Sequence, residues 1–255
     1  MTIESLQNDK IKNLTRLYTD NRFRKKSGLF VVEGQQENER AQIHRYESVE
    51  FYICTDLYNT EMPSGTVHLI SKNVFEKVAY RGESGGILGI YKVPEKKLED
   101  FRPKKDSTVI VIEGAEKPGN IGAILRSCEA FGIDALIVAD SKADLYNPNV
   151  IRSSVGCLFG MNAFSVENEE VLNFLNQHNF QIYTTHMSSN AELVSNADFR
   201  SKSAVIFGTE HSGISDFWKN TGKNILIPMT GTIDSLNLSN AVAITCYEAL
   251  RQKLL

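Results

Sequence analysis

The chain has 255 residues, 42% of them hydrophobic, so it can bury a substantial core in one large or two smaller domains. The formal charge of −3 does not by itself indicate a nucleic-acid partner. The four cysteines form no CxxC pair and the five histidines follow no metal-ligand spacing, which argues against a metal site or a disulfide framework. Because no apolar stretch approaches the roughly 20 residues of a membrane span and the start lacks a signal peptide's apolar run, we expect a cytoplasmic protein that uses no membrane.

Positive charge is concentrated near the N-terminus. Seven basic residues lie between positions 10 and 26, against a single acidic residue, Asp20. Such a cluster can neutralise phosphates locally whatever the total charge, although a solvated N-terminal helix is an equally good interpretation. The candidate phosphate-contacting residues are Arg22, Arg24, Lys25 and Lys26.

The first part of the chain shows a short alternating pattern of strands and helices. Apolar runs predict strands over residues 29–34, 49–54, 67–70 and 87–93, and helical patterns cover 35–46 and 72–79. We therefore predict a small α/β domain over residues 1–93.

A charged segment with two prolines, residues 94–106, is typical of a connector. After it the alternation resumes, and we predict a second domain over residues 107–255. Its predicted strands are 108–113, 134–139, 180–186, 204–208 and 224–228, and its predicted helices are 120–131, 167–177, 215–220 and 238–253. Apolar strands that alternate with helices indicate a parallel sheet with ligand sites at the carboxyl ends of its strands.

The first motif at a strand end is N-x-G-x-x-x-R, from Asn120 to Arg126. Asn120 can cap the predicted helix, and Gly132 can end it. Arg126 lies nearly two turns along that helix, where its planar guanidinium could bind a phosphate through two hydrogen bonds. Taken singly, the two residues are more simply a helix cap and a surface side chain.

The second motif is G-x-E-x-x-G, from Gly208 to Gly213, directly after a predicted strand. Gly208 permits close approach of a ligand to the backbone, and Gly213 relieves the loop that follows. Glu210 could serve only as a favourable charge at a helix N-terminus.

The third motif is I-P-M-x-G-x-x-x-S-L-N, from Ile227 to Asn237, and it leads into the C-terminal helix. Ser235 or Asn237 could simply cap that helix. The loop lacks the glycine patterns of phosphate-binding loops and of hydrolase elbows, so neither class is supported.

Together the three motifs resemble the signatures of the SpoU-type branch of the SPOUT RNA methyltransferases. All three occur in full and in order between about residues 108 and 255. Residues 24–34 resemble the substrate-binding domain of many family members, an α/β fold related to ribosomal RNA-binding proteins. The sequence departs from the family pattern at His211, where glycine is frequent, and at Asn240, where a small apolar residue is frequent.

The resemblance implies an α/β domain with a deep trefoil knot, a rarity that spacing alone would not suggest. In the family the knot forms the S-adenosylmethionine pocket and, with the C-terminal helix, the homodimer interface. The cofactor-contacting positions that it implies are Gly208, Ile227, Met229, Gly231, Leu236 and, less directly, Thr185.

The implied activity is methyl transfer to a ribose 2′-hydroxyl of structured RNA, without a metal. The additional N-terminal domain favours ribosomal RNA, and transfer RNA is the alternative substrate. Arg126 would hold the substrate phosphate and hydroxyl, and we favour positioning over proton removal because arginine hardly deprotonates. The residues that would organise the site are Asn120, Glu210, Ser235 and Asn237.

Two other classes of protein compete with this interpretation. An RNA-binding relative that has lost catalysis would not need the complete set of motif residues. A nicotinamide-binding enzyme is suggested by the strand pattern alone, and the glycine fingerprint is missing after the first strand of the second domain.

Overall fold

The computed structural model describes residues 2–80, 85–141, 143–186, 188, 190–209 and 212–255. The chain forms two compact units. The first combines the residues up to Glu95 with the segment Tyr146–Gly160, and the second combines Lys96–Leu145 with Met161–Leu255. The chain therefore passes between the units three times, first within the charged segment 94–106.

The secondary structure elements of the described residues are numbered in chain order. The strands are β1 Thr2–Ile3, β2 Leu29–Glu33, β3 Ser48–Ile53, β4 Val67–Ile70, β5 Ile87–Lys92, β6 Thr108–Glu113, β7 Ala135–Ala139, β8 Asn162–Val166, β9 Gln181–Thr185, β10 Glu192–Leu193, β11 Ser203–Phe207 and β12 Lys223–Leu226. The helices are α1 Asp9–Thr19, α2 Asn21–Ser27, α3 Gln35–Ile43, α4 Lys72–Val78, α5 Pro118–Ala130, α6 Pro148–Ser153, α7 Cys157–Gly160, α8 Asn168–Gln177 and α9 Leu238–Leu254. Short 3₁₀ turns occur at Leu98–Asp100 and Val194–Asn196.

The first unit is built on a mixed sheet with strand order β1-β4-β3-β5-β2. The basic N-terminal stretch forms α1 and α2, and α1 buries Ile11, Leu14 and Leu17, whose spacing places them on one face of the helix. Asn8 caps α1 by accepting a hydrogen bond from the Lys10 backbone N–H at 3.0 Å. α1 is therefore a packed element, with its charges on the outer face.

The second unit is built on a parallel sheet with strand order β10-β12-β9-β11-β6-β7-β8. Every residue of β6, β7 and β11 is buried, as expected when helices cover both faces of a sheet. The predicted α/β class with a parallel sheet is confirmed. Among the described residues, no helix has both the length and the apolar character that crossing a membrane requires.

Two local predictions were wrong. Residues 215–220, predicted as a helix, form turns in which the Trp218 and Thr221 N–H groups each donate to the carbonyl three residues earlier. Helix α5 begins at Pro118 with Lys117 at its cap position, so Asn120 lies in the first turn and is not the cap. Proline suits this place because its missing N–H would have no partner in the first turn of a helix.

Candidate cofactor site

A cavity of about 480 Å³ lies in the second unit where β9, β11 and β12 end. Its walls are residues that follow these three strands, the segment before α9, and one face of α9 itself. The cavity thus lies at the carboxyl edge of a parallel sheet, where α/β proteins commonly bind ligands.

Most of the residues predicted to contact a cofactor line this cavity. They come from the end of β9 and from the loops after β11 and β12, and they are Thr185, Gly208, Ile227, Met229 and Leu236. Gly231 does not line it, whereas Ser235, predicted as a catalytic residue, does. The fold therefore brings the second and third motifs together although they are separate in the sequence.

The loop after β11 closes tightly on the end of its own strand. Thr209 and Gly213 exchange backbone hydrogen bonds of 3.1 and 3.0 Å. A Cβ atom on Gly208 would lie 1.9 Å from the Gly213 carbonyl carbon, so only glycine allows this closure. Gly213 has a φ of +65°, a second conformation that favours glycine. Glu210, the predicted catalytic residue of this loop, lies outside the described residues, as does His211.

A buried carboxylate holds the far end of this loop. Glu113, the last residue of β6, accepts hydrogen bonds from the Ser215 backbone N–H at 2.7 Å and from the Ser215 hydroxyl at 2.6 Å. The Asn168 side-chain amide donates to the same carboxylate at 2.7 Å, and its oxygen accepts from the Trp218 indole N–H, also at 2.7 Å. Asn168 further donates to Asp140 at 2.6 Å. Sequence reasoning missed Glu113, although an acid that ends an otherwise apolar strand was a signal.

Hydrogen bonds between side chains and the backbone hold the end of β9 and the residue that follows it. The Asn224 side chain accepts from the His186 backbone N–H at 3.1 Å and donates to the His186 carbonyl at 2.9 Å. The Thr185 hydroxyl donates to the Ile206 carbonyl at 2.9 Å. The His186 Nδ1 atom is buried and has no hydrogen-bond partner among the described residues, a second feature of this wall that the sequence did not reveal.

Asn237 caps α9, one of the two roles considered from the sequence. Its side-chain oxygen accepts from the Ser239 backbone N–H at 3.0 Å and from the Ser239 hydroxyl at 2.6 Å. The first turns of α9 contribute Leu238, Ala241 and Thr245 to the cavity wall.

Two regions of the sequence match known protein families. Residues 107–247 match the SpoU rRNA Methylase family, and residues 8–89 match the MRM3-like substrate binding domain. The chain belongs to the SpoU rRNA methylase family. The resemblance expected from the three motifs is thereby confirmed.

Relatives of this SpoU protein include the 23S rRNA (guanosine(2553)-2′-O)-methyltransferase RlmP of Bacillus subtilis, which is 28% identical over 96% of this chain and 97% of its own length. The 23S rRNA (uridine(2479)-2′-O)-methyltransferase of Streptomyces viridochromogenes is 31% identical over 66% of this chain and 61% of its own length. A crystal structure of an RNA 2′-O ribose methyltransferase matches all of both chains with 36% identity and a TM-score of 0.88. The S. viridochromogenes SpoU methyltransferase AviRb in complex with AdoMet matches 97% of this chain and 99% of its own with 25% identity and a TM-score of 0.87. This SpoU protein is therefore an S-adenosylmethionine-dependent RNA ribose 2′-O-methyltransferase.

The cavity of the SpoU domain fits S-adenosylmethionine in size and in chemistry. Its volume lies within the range of small-molecule sites, roughly 300 to 1,000 Å³. Two charged residues line it as well, Asp234 and Lys219, whose ammonium group pairs with the Asp216 carboxylate at 2.6 Å, so the wall can meet a ligand with charged groups of its own. The orphaned His186 Nδ1 and the glycine-closed loop at Gly208 are further features of a wall built to face a ligand.

Arg126 is not among the residues that line this cavity in its own chain. It is exposed on α5, forms no hydrogen bond or ion pair with a described residue, and does not line the cavity. Asn120, half-buried in the first turn of α5, does not line it either. Among the described residues of one chain, the cavity is therefore lined by parts of the second and third motifs and not by Asn120 or Arg126 of the first.

The four candidate phosphate-contacting residues of the first unit differ in their exposure to solvent. Arg22, Lys25 and Lys26 are exposed, and they remain candidates for phosphate contact. Arg24 is only 3% exposed, and its guanidinium donates to the Leu17 carbonyl at 2.7 Å and the Tyr18 carbonyl at 3.1 Å. Its inclusion among the RNA-contacting residues therefore needs correction, because a guanidinium used to join α1 to α2 is not presented to RNA.

Proposed function

We propose that this enzyme methylates a ribose 2′-hydroxyl of 23S ribosomal RNA. The relatives from Bacillus subtilis and Streptomyces viridochromogenes are both named for that reaction. The observation that carries the proposal is the end-to-end similarity to the Bacillus enzyme, which spans the substrate-binding region as well as the methyltransferase region. We also propose a cytoplasmic location, where 23S rRNA is made and modified.

In this proposal the protein's task is to position the ribose and to remove its proton. S-adenosylmethionine supplies, when bound, a methyl group on a positively charged sulfur. A sugar hydroxyl is a weak nucleophile until its proton leaves, so alignment of the hydroxyl and its deprotonation determine the rate. We assign Arg126 to hold the substrate phosphate beside the hydroxyl, since its planar donors suit a phosphate and it hardly deprotonates. Asn120, Glu210, Ser235 and Asn237 would organise the loops around it.

We further propose that the active site is completed by a homodimer. The exposed position of Arg126, which does not line the cavity of its own chain, supports a site shared between subunits. Helix α9 packs along α5, with the Tyr247 and Phe131 rings 6.0 Å apart, and leaves Ile244 41% and Tyr247 56% exposed. Apolar side chains on an outer helix face are typical of a surface that a second subunit covers.

The proposal includes the trefoil knot of the family. β12 is separated from β6 by β9 and β11, yet α9, which follows β12, packs on α5, which follows β6. The chain between β12 and α9 must therefore cross the carboxyl edge of the sheet, past β9 and β11, to reach α5. A knotted chain requires such a crossing.

The substrate is tested by mapping ribose methylation in total RNA from cells with and without the gene. We expect one 2′-O-methyl group of 23S rRNA to disappear with the gene and to return with a plasmid copy. Loss of a transfer-RNA methyl group, with 23S rRNA unchanged, would contradict the proposal.

The assigned role of Arg126 is tested by replacement and by mixing of subunits. Arg126→Ala should nearly abolish methyl transfer yet leave folding and cofactor affinity unchanged, and Arg126→Lys should rescue poorly because an ammonium lacks the planar fork. In a shared site, mixing Arg126→Ala subunits with Asn237→Ala subunits should restore some activity, because each heterodimer contains one intact site and one doubly altered site. Full activity of Arg126→Ala would reduce the residue to an ordinary surface side chain.

A further inference from the structure

An exposed tyrosine and an arginine lie stacked on the surface of the first unit. The Tyr80 side chain, which follows α4, is 64% exposed. The Arg152 guanidinium of α6 lies over its ring, with Cζ 4.5 Å from the ring centroid. We propose that Tyr80 and Arg152 form a stacking platform that binds an unpaired base of the RNA substrate, an inference that rests on the proposed function.

The tyrosine side of the platform is anchored to a buried carboxylate. The Tyr80 backbone N–H donates to Glu33 Oε2 at 2.8 Å, and the Tyr18 hydroxyl donates to the same oxygen at 3.0 Å. Glu33 is 6% exposed and ends β2, an edge strand of the sheet of the first unit. A carboxylate in such a place needs its hydrogen bonds, so the backbone of Tyr80 is held in position while its ring remains exposed.

The arginine side is held in place but retains unused donors. Arg152 Nη2 donates to Asn149 Oδ1 at 2.7 Å. Arg152 makes no ion pair with any described carboxylate, and its Nε atom is buried without a partner among the described residues. The guanidinium plane therefore lies against the ring, and since Nε is buried and Nη2 is bonded to Asn149, Nη1 is the group left to donate to a phosphate or a base edge.

This chemistry favours an unpaired nucleotide over a duplex. Proteins read single-stranded RNA by stacking its bases on aromatic rings and on arginine planes. In a duplex the bases are already stacked on one another, so a single exposed ring offers it little. Arg152 forms no ion pair among the described residues, although the Glu37 carboxylate is near enough to feel its charge, and such an arginine suits a polyanion better than it suits an apolar protein surface.

The two residues come from different regions of the sequence. Tyr80 lies in the match to the substrate binding domain, residues 8–89, and Arg152 lies in the match to the SpoU family, residues 107–247. Both belong to the first compact unit because the segment Tyr146–Gly160 packs there. The platform therefore requires both regions in one chain.

The test measures the affinity of the full-length enzyme for a fluorescent single-stranded 12-mer of adenylate and for an RNA duplex of the same length. We expect Tyr80→Ala to weaken single-strand binding about tenfold, the usual scale for loss of one base-stacking contact. Tyr80→Phe, which keeps the ring, should bind as the wild type does, and Arg152→Lys, which keeps the charge but loses the plane, should lie between them. Duplex binding and cofactor affinity should be unchanged in all three variants.

Ile43→Ala is the matched control, since Ile43 is a similarly exposed apolar side chain of the same unit, 72% exposed. Single-strand affinity of Tyr80→Ala equal to that of the wild type would overturn the platform. An equal loss in Tyr80→Phe, in Ile43→Ala or with the duplex would overturn it as well, because the effect would then not be base stacking. Absence of 23S rRNA methylation by the wild type would instead contradict the proposed function, and the comparison of binding affinities would still stand.

Discussion

Replacement of Glu113 by glutamine is the most informative test of the loop that follows β11, which closes through Thr209 and Gly213 and ends at Ser215. The carboxylate accepts from the Ser215 N–H, the Ser215 hydroxyl and the Asn168 amide. A glutamine amide has one oxygen and one NH₂ group, so one of the two acceptor positions becomes a donor. That donor faces either the Ser215 N–H or the Asn168 amide. The Asn168 side-chain amide cannot flip to accept from the new donor, because its oxygen already accepts from Trp218 and its nitrogen also donates to Asp140.

The expected loss follows from the hydrogen bonds involved. One buried bond to a charged acceptor disappears, which costs about 1.5 to 3 kcal/mol, and the remaining bonds weaken with the loss of charge. We expect the free energy of unfolding to fall by about 2 to 3 kcal/mol. For a chain of this size that corresponds to a drop in melting temperature of roughly 4 to 12 °C. Since Ser215 ends the loop that closes the cavity, the affinity for S-adenosylmethionine should also fall.

The assay is thermal and chemical unfolding of the full-length protein together with calorimetric titration of S-adenosylhomocysteine. Glu116→Gln is the control, because Glu116 is exposed in the loop that follows β6 and undergoes the same chemical change. Exposed substitutions of this kind change stability by no more than about 0.5 kcal/mol. If Glu113→Gln unfolds like Glu116→Gln and binds the cofactor equally well, the carboxylate does not hold the loop and the reasoning fails.

Two further predictions concern charge. Replacing Arg22, Lys25 and Lys26 with glutamine should lower the slope of log affinity for RNA against log salt by up to about 2.7, using roughly 0.7 to 0.9 for each of the three phosphate contacts, without changing cofactor affinity. An unchanged slope in a salt titration would make the cluster an ordinary solvated surface. In α9, hydrogen bonds from Arg251 lower the pKa of the Glu248 carboxyl. A lowered pKa stabilises the fold above the unfolded value of about 4.3, and that contribution is lost as the pH falls through the folded pKa. Arg251→Gln should therefore lower stability at pH 7, and the difference from the wild type should shrink below pH 4 in unfolding titrations.

Local patterns in the sequence were sufficient for the fold class, and the resemblance of the three motifs to a known family indicated most of the residues that line the candidate cofactor cavity. The apolar runs that became β6, β7 and β11 identify strands buried on both faces, because covering helices leave no face for polar residues. Gly208 and Gly213 were identifiable because a loop that closes on its own strand tolerates no Cβ at the first and favours a positive φ at the second. Both requirements depend on neighbouring residues in the chain, so they can be recognised from the sequence alone.

Tertiary structure decided what depends on distant partners. Glu113 is one acid among 31 acidic residues until Asn168 and Ser215, 55 and 102 residues further along, meet it. Arg24 looks identical in sequence to its exposed neighbours, and only the crossing of α1 and α2 turns it inward onto the Leu17 carbonyl. Nor does any local pattern indicate that the segment Tyr146–Gly160 packs in the first unit, since its apolar residues can be buried equally well by either sheet. Hydrophobic periodicity indicates which side chains are buried, but only the tertiary structure determines which residues they pack against.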